Sequence, residues 1–219
     1  MALFLVAAAL VGCANRIVPP AAPADPVAVY LVDYGRHSSL LLPDSEPGHF
    51  VEYAYGDWNW FALDRSESLH VFPTLLWPTR GALGRWRWSL GADMELIRHR
   101  MICEDVMEIT VAGTDVLAQR RRLEERYGQA SETMHHQPKY MLDFVHDEAN
   151  YWVFHNCNHV VLSWLEELGC EVHGSGILAV FEVEPARTPA GDAESIGRGD
   201  AGEGRSFRRS ARHRRSGVL

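Results

Sequence analysis

One amphipathic helix is the most strongly patterned element of this 219-residue chain. Between residues 158 and 168, apolar side chains recur at the three- and four-residue spacing of an α-helix, and Gly169 follows where such a helix ends. The apolar face is formed by Val160, Val161, Trp164, Leu165 and Leu168. A helix with one apolar face buries it against another layer of structure, so this segment predicts a packed domain.

The other periodic segments predict an antiparallel β-sheet packed against a few helices, which is an α+β fold. A second helix is predicted at 114–127, capped by Thr114 or Asp115 and ended by Gly128. β-Branched and alternating runs predict strands at 27–32, 39–42, 50–55, 94–100, 106–111 and 177–183. Turn-forming residues predict a turn at 43–48.

The composition is that of a soluble globular protein, with 47% hydrophobic and 23% charged residues. The formal net charge of -8 argues against a nucleic-acid partner, because phosphate binding requires a surplus of Lys and Arg. One domain is expected, at 27–185. Residues 186–219 are rich in Gly, Arg and Ser with almost no apolar side chains, so this tail is predicted to be disordered.

The first 13 residues resemble a bacterial lipoprotein signal. Residues 2–11 are apolar but too few to span a bilayer, as in the core of a secretory signal. Leu10-Val11-Gly12-Cys13 resembles a lipobox, in which cleavage leaves Cys13 to carry the lipid anchor. No Lys or Arg precedes the run, so a buried N-terminal strand or helix is the alternative interpretation.

Residues 14–26 are rich in Pro and Ala and are predicted to be a tether that holds the domain off a membrane. Asn15, second after Cys13, is not Asp, which favours sorting to the outer membrane. The expected localisation is therefore the cell envelope, lipid-anchored to the outer membrane and facing the periplasm. The expected partners are that membrane and a small envelope substrate.

Cys157 stands at the predicted start of the 158–168 helix. Unpaired backbone N–H groups and the helix dipole favour a thiolate there, so a lowered thiol pKa is expected. The same N–H groups could hold an oxyanion. The alternative is an inert cysteine that packs as a small apolar residue.

Asn156-Cys157-Asn158-His159, followed by the apolar helix, resembles the nucleophile motif of circularly permuted papain-like enzymes. The PPPDE peptidases carry Asn-Cys-Asn-His, the lecithin:retinol acyltransferase group carries Asn-Cys-Glu-His, and NlpC-type enzymes belong to the same superfamily. In these enzymes the catalytic His precedes the Cys, at the start of a strand in an early hairpin. His37 occupies the corresponding place in this chain.

The chain is more closely similar to an uncharacterised bacterial family of conserved hypothetical proteins noted near urease genes. The matching segments are His37 to Pro43, Val51 to Trp58 with Gly56-Asp57, Leu75 to Pro78, and His155 to Gly169. Arg36 and Ser38-Ser39 depart from the family pattern around the histidine, which puts the edge of the pocket in doubt. That family has no assigned reaction.

The resemblance implies a permuted papain-like fold and a set of site residues. No cofactor and no metal are expected. Cys157 would be the nucleophile and His37 the general base of a hydrolase or acyltransferase acting on an amide, thioester or ester. Glu52 is the first candidate for the third residue that orients the imidazole, with His49 and Asp57 as alternatives. Asn156 and Asn158 would cap the helix, and His159 would support its start.

Three cysteines remain if Cys13 is lipidated, and they cannot all pair within one chain. A bridge between Cys103 and Cys170 would leave Cys157 free, whereas a bridge between Cys157 and Cys170 would exclude catalysis. The sequence leaves both alternatives open.

Two other functions compete with the enzyme. A metal site is suggested by the neighbouring ligands His135, His136, His146, His155, Cys157 and His159, although no second ligand motif completes a zinc set. A catalytically inactive module could instead bind an envelope peptide or lipid in a groove lined by Trp58, Trp60, Trp77, Trp86 and Trp88, most of which are expected in the core.

Overall fold

The computed structural model describes residues 14–65, 77–91 and 93–187. The predicted signal segment with Cys13, and residues 188–219 of the predicted tail, lie outside these residues. Of the helices described, none combines the length and the apolar character needed to cross a bilayer.

The strands are numbered along the chain. They are β1 (Asn15–Val18), β2 (Pro26–Asp33), β3 (Ser38–Pro43), β4 (His49–Asp57), β5 (Thr79–Ser89), β6 (Asp105–Ala112), β7 (His135–Gln137), β8 (Leu142–Tyr151), β9 (Glu171–His173) and β10 (Phe181–Val183). Within the described ranges, seven of them form one antiparallel sheet in the order β6-β2-β3-β4-β5-β8-β7. A smaller sheet has the order β10-β1-β9.

The helices are α1 (Met94–Met101), α2 (Gly113–Gln129) and α3 (Cys157–Glu167), with a π-helical turn at Trp58–Ala62 and a 3₁₀ turn at Ser131–Thr133. The predicted α+β class, with a mainly antiparallel sheet and a few helices, is confirmed. The predicted helices at 114–127 and 158–168 correspond to α2 and α3.

The large sheet is covered on both faces. Leu31 and Leu40 pack with the buried side chains of α2 and α3, whereas Tyr30, Val32 and Leu41 pack with those of α1 on the opposite face. Because successive strand residues point to opposite faces, a strand buried on both sides reads as a continuous apolar run. Each side chain of this kind contributes about 1.5–3 kcal/mol when it is fully buried.

Part of the predicted tether is a strand. Residues Asn15–Val18 pair with β9 on one side and β10 on the other, and Ile17 is completely buried. The Pro- and Ala-rich composition of 14–26 concealed this short β-branched run, which is stabilised by partners more than 150 residues away. The prediction of a free tether is therefore wrong for these four residues.

The predicted strand at 94–100 is a helix. The carboxylate of Asp93 caps α1 by accepting from the backbone N–H groups of Glu95 and Leu96. Ile97 and Met101, four residues apart, form the buried face of α1, and that helical spacing outweighs the local alternation. The strand predicted at 177–183 is likewise shorter, since β10 begins only at Phe181.

The sequence patterns missed β5 and β8, two long strands of the large sheet. Charged and polar residues interrupt β8, and glycines interrupt β5. Gly84 of β5 is required by packing, because a Cβ there would lie 2.6 Å from the buried ring of Phe144. A residue type that is depleted in strands is therefore the one that lets β5 and β8 pair closely.

Substitution of this glycine tests the packing argument. We expect Gly84→Ala to lower the free energy of unfolding by about 1–3 kcal/mol, because the added methyl group would overlap the completely buried ring of Phe144. Gly128→Ala is the matched control: nothing lies within 4 Å of its Cβ position in α2, so a gain of about 0.5–1 kcal/mol is expected. Urea unfolding measures both values, and equal effects of the two variants would contradict the argument.

Candidate active site

Cys157 is the first residue of α3. Asn156 caps the helix from an extended backbone conformation, and its side-chain oxygen accepts from the backbone N–H of His159 at 3.1 Å. The same oxygen lies 3.0 Å from Nδ1 of His159. Asn156 and His159 thus have local structural contacts at the helix start, of the kind expected from the sequence.

The first turn of α3 is joined to the beginning of β3. The hydroxyl of Ser38 donates to Oδ1 of Asn158 at 3.0 Å, and both side chains are buried. Asn158 therefore links the helix to the sheet, which differs from the capping role predicted for it. Since Ser38 follows His37 directly, this contact brings the backbone of the predicted base next to the predicted nucleophile.

A tight turn holds His37 in place. The backbone N–H of Tyr34 donates to the carbonyl of His37 at 2.9 Å, which closes a two-residue turn. Gly35 occupies its first central position with a φ of 80°, a conformation that glycine adopts without steric cost. The hairpin of β2 and β3 therefore presents His37 at its corner.

The thiol of Cys157 is only 3% exposed. Burial raises its pKa to about 11, although the backbone N–H groups of Ser38, Asn158 and Cys157 and the hydroxyl of Tyr151 favour the thiolate. The lowered pKa expected from the sequence is therefore wrong for this conformation, because the loss of hydration outweighs the helix start. In this state the sulfur is protonated at neutral pH.

His37 is 8% exposed, and within the described part of the chain neither of its ring nitrogens has a hydrogen-bond partner. Its ring is tilted against that of Phe61, with centroids 4.5 Å apart, and is stacked on that of Tyr34 at 6.1 Å. Burial lowers the pKa of the imidazole to about 4, so His37 is neutral at pH 7. The pair at the site is thus a neutral thiol and a neutral imidazole.

Glu52 does not contact the imidazole directly. Its carboxylate accepts from Tyr34 at 2.8 Å, from Ser39 at 2.6 Å and from Trp88 at 2.8 Å. Burial raises the pKa of this carboxyl, and the three donors oppose that shift. The predicted bond between Glu52 and His37 is absent from the described residues. Tyr34 connects the two instead, because its hydroxyl donates to Glu52 and its ring stacks on the imidazole of His37.

The two alternatives for the orienting residue have other contacts. Asp57 caps the π-helical turn by accepting from the backbone N–H of Trp60 at 2.8 Å, and it also accepts from the hydroxyl of Thr79. His49, the first residue of β4, lies beside Pro47 and Glu46 of the preceding turn. Tyr34 was not identified from the sequence, although its position three residues before His37 in a tight turn was a usable signal.

Cys103, Cys157 and Cys170 are all free in the described ranges. Cys103 packs with the side chains on the α1 face of the sheet and Cys170 with those on the α3 face, so the sheet separates them. Cys157 is the first residue of α3 and Cys170 follows its C-terminal end. The helix between them is roughly 16 Å long, which is too far for a disulfide. Neither of the two bridges considered from the sequence is formed.

The histidines near the site are not gathered around one point. His155 packs edge-on against Tyr55, with centroids 5.2 Å apart, whereas His146 packs against Trp58 at 4.1 Å. Across residues 14–65, 77–91 and 93–187, no group of three His, Cys, Asp or Glu side chains could hold a metal ion. The ligands proposed from their proximity in sequence therefore do not form a metal site within the described residues.

A cleft of about 530 Å³ lies elsewhere, around the charged network of Arg85, Arg87, Arg120, Asp44 and Glu124. Its lining includes neither Cys157 nor His37. Of the tryptophans considered as a groove, Trp77 is 69% exposed, and Trp58, Trp60, Trp86 and Trp88 are half-buried rather than in the core.

Comparison of the chain with protein-family models, curated proteins and solved structures finds no match.

Burial of His37 has a consequence for stability in acid. In the unfolded chain its imidazole has a pKa near 6.5, against about 4 in the folded protein. Below pH 6.5 the unfolded chain binds a proton that the folded protein excludes, so stability is lost as the pH falls towards 4. His37→Gln removes this contribution, and we expect its free energy of unfolding to decline by about 1–3 kcal/mol less between pH 6.5 and pH 4.5.

Urea unfolding at both pH values measures this difference. Because the comparison is made within each protein, any change in stability at neutral pH caused by the substitution cancels. Parallel losses in the two proteins would contradict a buried neutral imidazole at this position.

Proposed function

We propose that this chain is a lipid-anchored cysteine hydrolase or acyltransferase of the cell envelope, acting on an amide, thioester or ester. The observation that carries the proposal is a buried histidine whose ring nitrogens both lack partners among the described residues. It directly precedes Ser38, whose backbone N–H faces the buried thiol at the start of α3. Buried polar groups are almost always paired, and an unpaired one calls for an explanation. Proton transfer from the neighbouring thiol supplies one for His37.

The chemistry follows general-base catalysis. His37 takes the proton of Cys157 as Sγ attacks the substrate carbonyl, and the new C–S bond forms while the carbonyl π electrons move to oxygen. The backbone N–H groups of Ser38, Cys157 and Asn158, which already point at the sulfur, stabilise the oxyanion. The protonated imidazole then gives its proton to the leaving group as the carbonyl reforms, and water or an acceptor resolves the acyl-enzyme.

A neutral thiol and a neutral base suit this sequence of steps. The proton moves during the attack, as in serine hydrolases, so a preformed thiolate is not required. The absence of a direct hydrogen bond between Cys157 and His37 in the described structure is compatible with this, because such bonds often tighten only when substrate is bound. Phe61 is tilted against the imidazole of His37, with ring centroids 4.5 Å apart, so a substrate would have to approach the imidazole past or beside this ring.

Tyr34 and Glu52 act as positioning residues in this proposal. Glu52 holds the hydroxyl of Tyr34, and the ring of Tyr34 stacks on the imidazole. The order of the segments, with His37 at the start of a strand in an early hairpin and Cys157 at the start of a later helix, agrees with a permuted papain-like arrangement. Plausible substrates in the envelope are peptidoglycan stem peptides and acyl lipids.

An inactive binding module is the second candidate. The raised thiol pKa of about 11 and the 3% exposure of Cys157 favour it, because both suppress reactivity in the resting state. It would hold a peptide or lipid at the same residues without forming an acyl-enzyme. The reactivity of Cys157 distinguishes this candidate from the enzyme.

Alkylation of Cys157 by iodoacetamide, followed by mass spectrometry, tests the pair. We expect the rate at pH 7 to fall about 100-fold in His37→Ala, because the base that takes the thiol proton is lost. The two proteins should converge near pH 11, where the thiol ionises by itself. In the parent protein the rate should also fall below pH 4, where His37 is protonated.

His155→Ala is the matched control, since the Nε2 atom of His155 is also buried without a partner in the described structure. In that variant Cys157 should be alkylated at the parent rate. Alkylation of Cys103 in each sample reports the general reactivity of the reagent. Equal rates for the parent and His37→Ala at pH 7 would reject the catalytic pair and favour the binding module.

The lipid anchor is tested separately. When the full chain is produced in a bacterial host fed with radiolabelled palmitate, we expect the protein to incorporate label and Cys13→Ser to lose it, because the acyl chains attach to that residue. Cys103→Ser should keep the label. Labelling of Cys13→Ser at the parent level would contradict anchoring at this position.

A further inference from the structure

Three apolar side chains are exposed in one short loop near the N-terminus of the described domain. Ile177, Leu178 and Val180 are 43%, 45% and 47% exposed. They precede β10, which pairs in parallel with β1, so the loop and the first described residues meet at the same end of the small sheet. No pairing or core contact of the described residues covers this surface.

Asn15 fixes this loop. Its side-chain nitrogen donates to the carbonyls of Leu178 at 2.7 Å and Val180 at 3.1 Å, and its side-chain oxygen accepts from the backbone N–H of Gly176 at 2.9 Å. The backbone N–H of Asn15 also donates to the carbonyl of Val180 at 2.7 Å. With Asn15 completely buried, the exposed loop is tied to the chain by four hydrogen bonds.

The proposed lipid attachment lies very close to this loop. Cys13 is two residues before Asn15, and two extended residues span about 7 Å at most. Acyl chains on Cys13 would therefore begin within about 7 Å of the Cα atom that holds the loop. Because Asn15 is the start of a strand rather than part of a free tether, the domain cannot move far from the bilayer that holds these chains.

The charges near the loop favour an apolar contact over an electrostatic one. Arg16 pairs with Glu184 and Arg187 pairs with Glu171, and Glu182 adds a further negative charge. The surrounding side chains offer no surplus of positive charge for anionic headgroups among the residues described. Insertion of exposed apolar side chains into the boundary between headgroups and acyl chains needs no such surplus.

We propose that Ile177, Leu178 and Val180 form a membrane-docking surface that inserts into the bilayer in which Cys13 is anchored. This inference rests on the proposed lipidation of Cys13. The docking fixes the orientation of the domain as well as its distance from the membrane. The first turn of α3 faces the same loop, since a Cβ at Gly176 would lie 2.9 Å from the ring of His159, so the candidate site is held near the membrane surface.

The test uses the full chain, produced in a bacterial host and purified with its acyl chains, in vesicles of phosphatidylcholine. A fraction of the lipid carries a diazirine near the top of one acyl chain, and mass spectrometry maps the residues that it labels after illumination. We expect labelling within 174–180. In the triple variant Ile177→Ser, Leu178→Ser, Val180→Ser the labelling should fall about tenfold or more, because only the small side chain of Ala179 remains apolar in the loop.

Leu117→Ser is the matched control, since Leu117 is 67% exposed on α2, outside the proposed surface. That variant should label at 174–180 like the parent, and circular dichroism should show that all three proteins are folded. Replacing part of the lipid with phosphatidylglycerol should change the labelling by less than about twofold, because the contact is apolar rather than electrostatic.

The outcomes separate the two proposals. The mass of the same sample reports whether Cys13 is acylated. An acylated protein without labelling at 174–180, or labelling that requires anionic lipid, would overturn the docking surface alone. An unacylated protein would overturn the lipid anchor, and with it the inference that depends on it.

Discussion

The hydrogen bond from Ser38 to Asn158 joins the two segments on which the candidate site depends. β3 is paired with β2 on one side and β4 on the other, so its first residues have little freedom. α3 is held by its apolar face against the same sheet. The polar contact between these two rigid elements then sets the position of His37 relative to Cys157, which neither element could do alone.

Desolvation dominates the chemistry of this site. It raises the pKa of the thiol and lowers that of the imidazole, so both groups are neutral at pH 7 despite the N–H donors around the sulfur. The N–H groups at a helix start lower a thiol pKa only where their stabilisation of the thiolate exceeds the cost of removing it from water. At Cys157 the cost of removal from water is the larger effect. Both groups are therefore neutral in this state, and the proposed reaction depends on proton transfer between them.

Several parts of the fold and of the site were predictable from local patterns. The β-branched run in β2 and the amphipathic spacing in α3 are properties of neighbouring residues, and both elements appear where expected. β5 was missed because Gly84 is dictated by the ring of Phe144 across the sheet. The partner of Glu52 was also missed, because it depends on which side chains share one face of the folded sheet.

The sequence by itself determined that Cys157 begins a helix and that His37 follows a tight turn, since helix caps and turns depend on residues a few positions apart. The tertiary structure decided the protonation of the pair, the separation of the three cysteines and the position of the 177–180 loop beside Asn15. These depend on burial and on contacts between residues more than 100 positions apart, such as Ser38 and Asn158, which no local pattern contains.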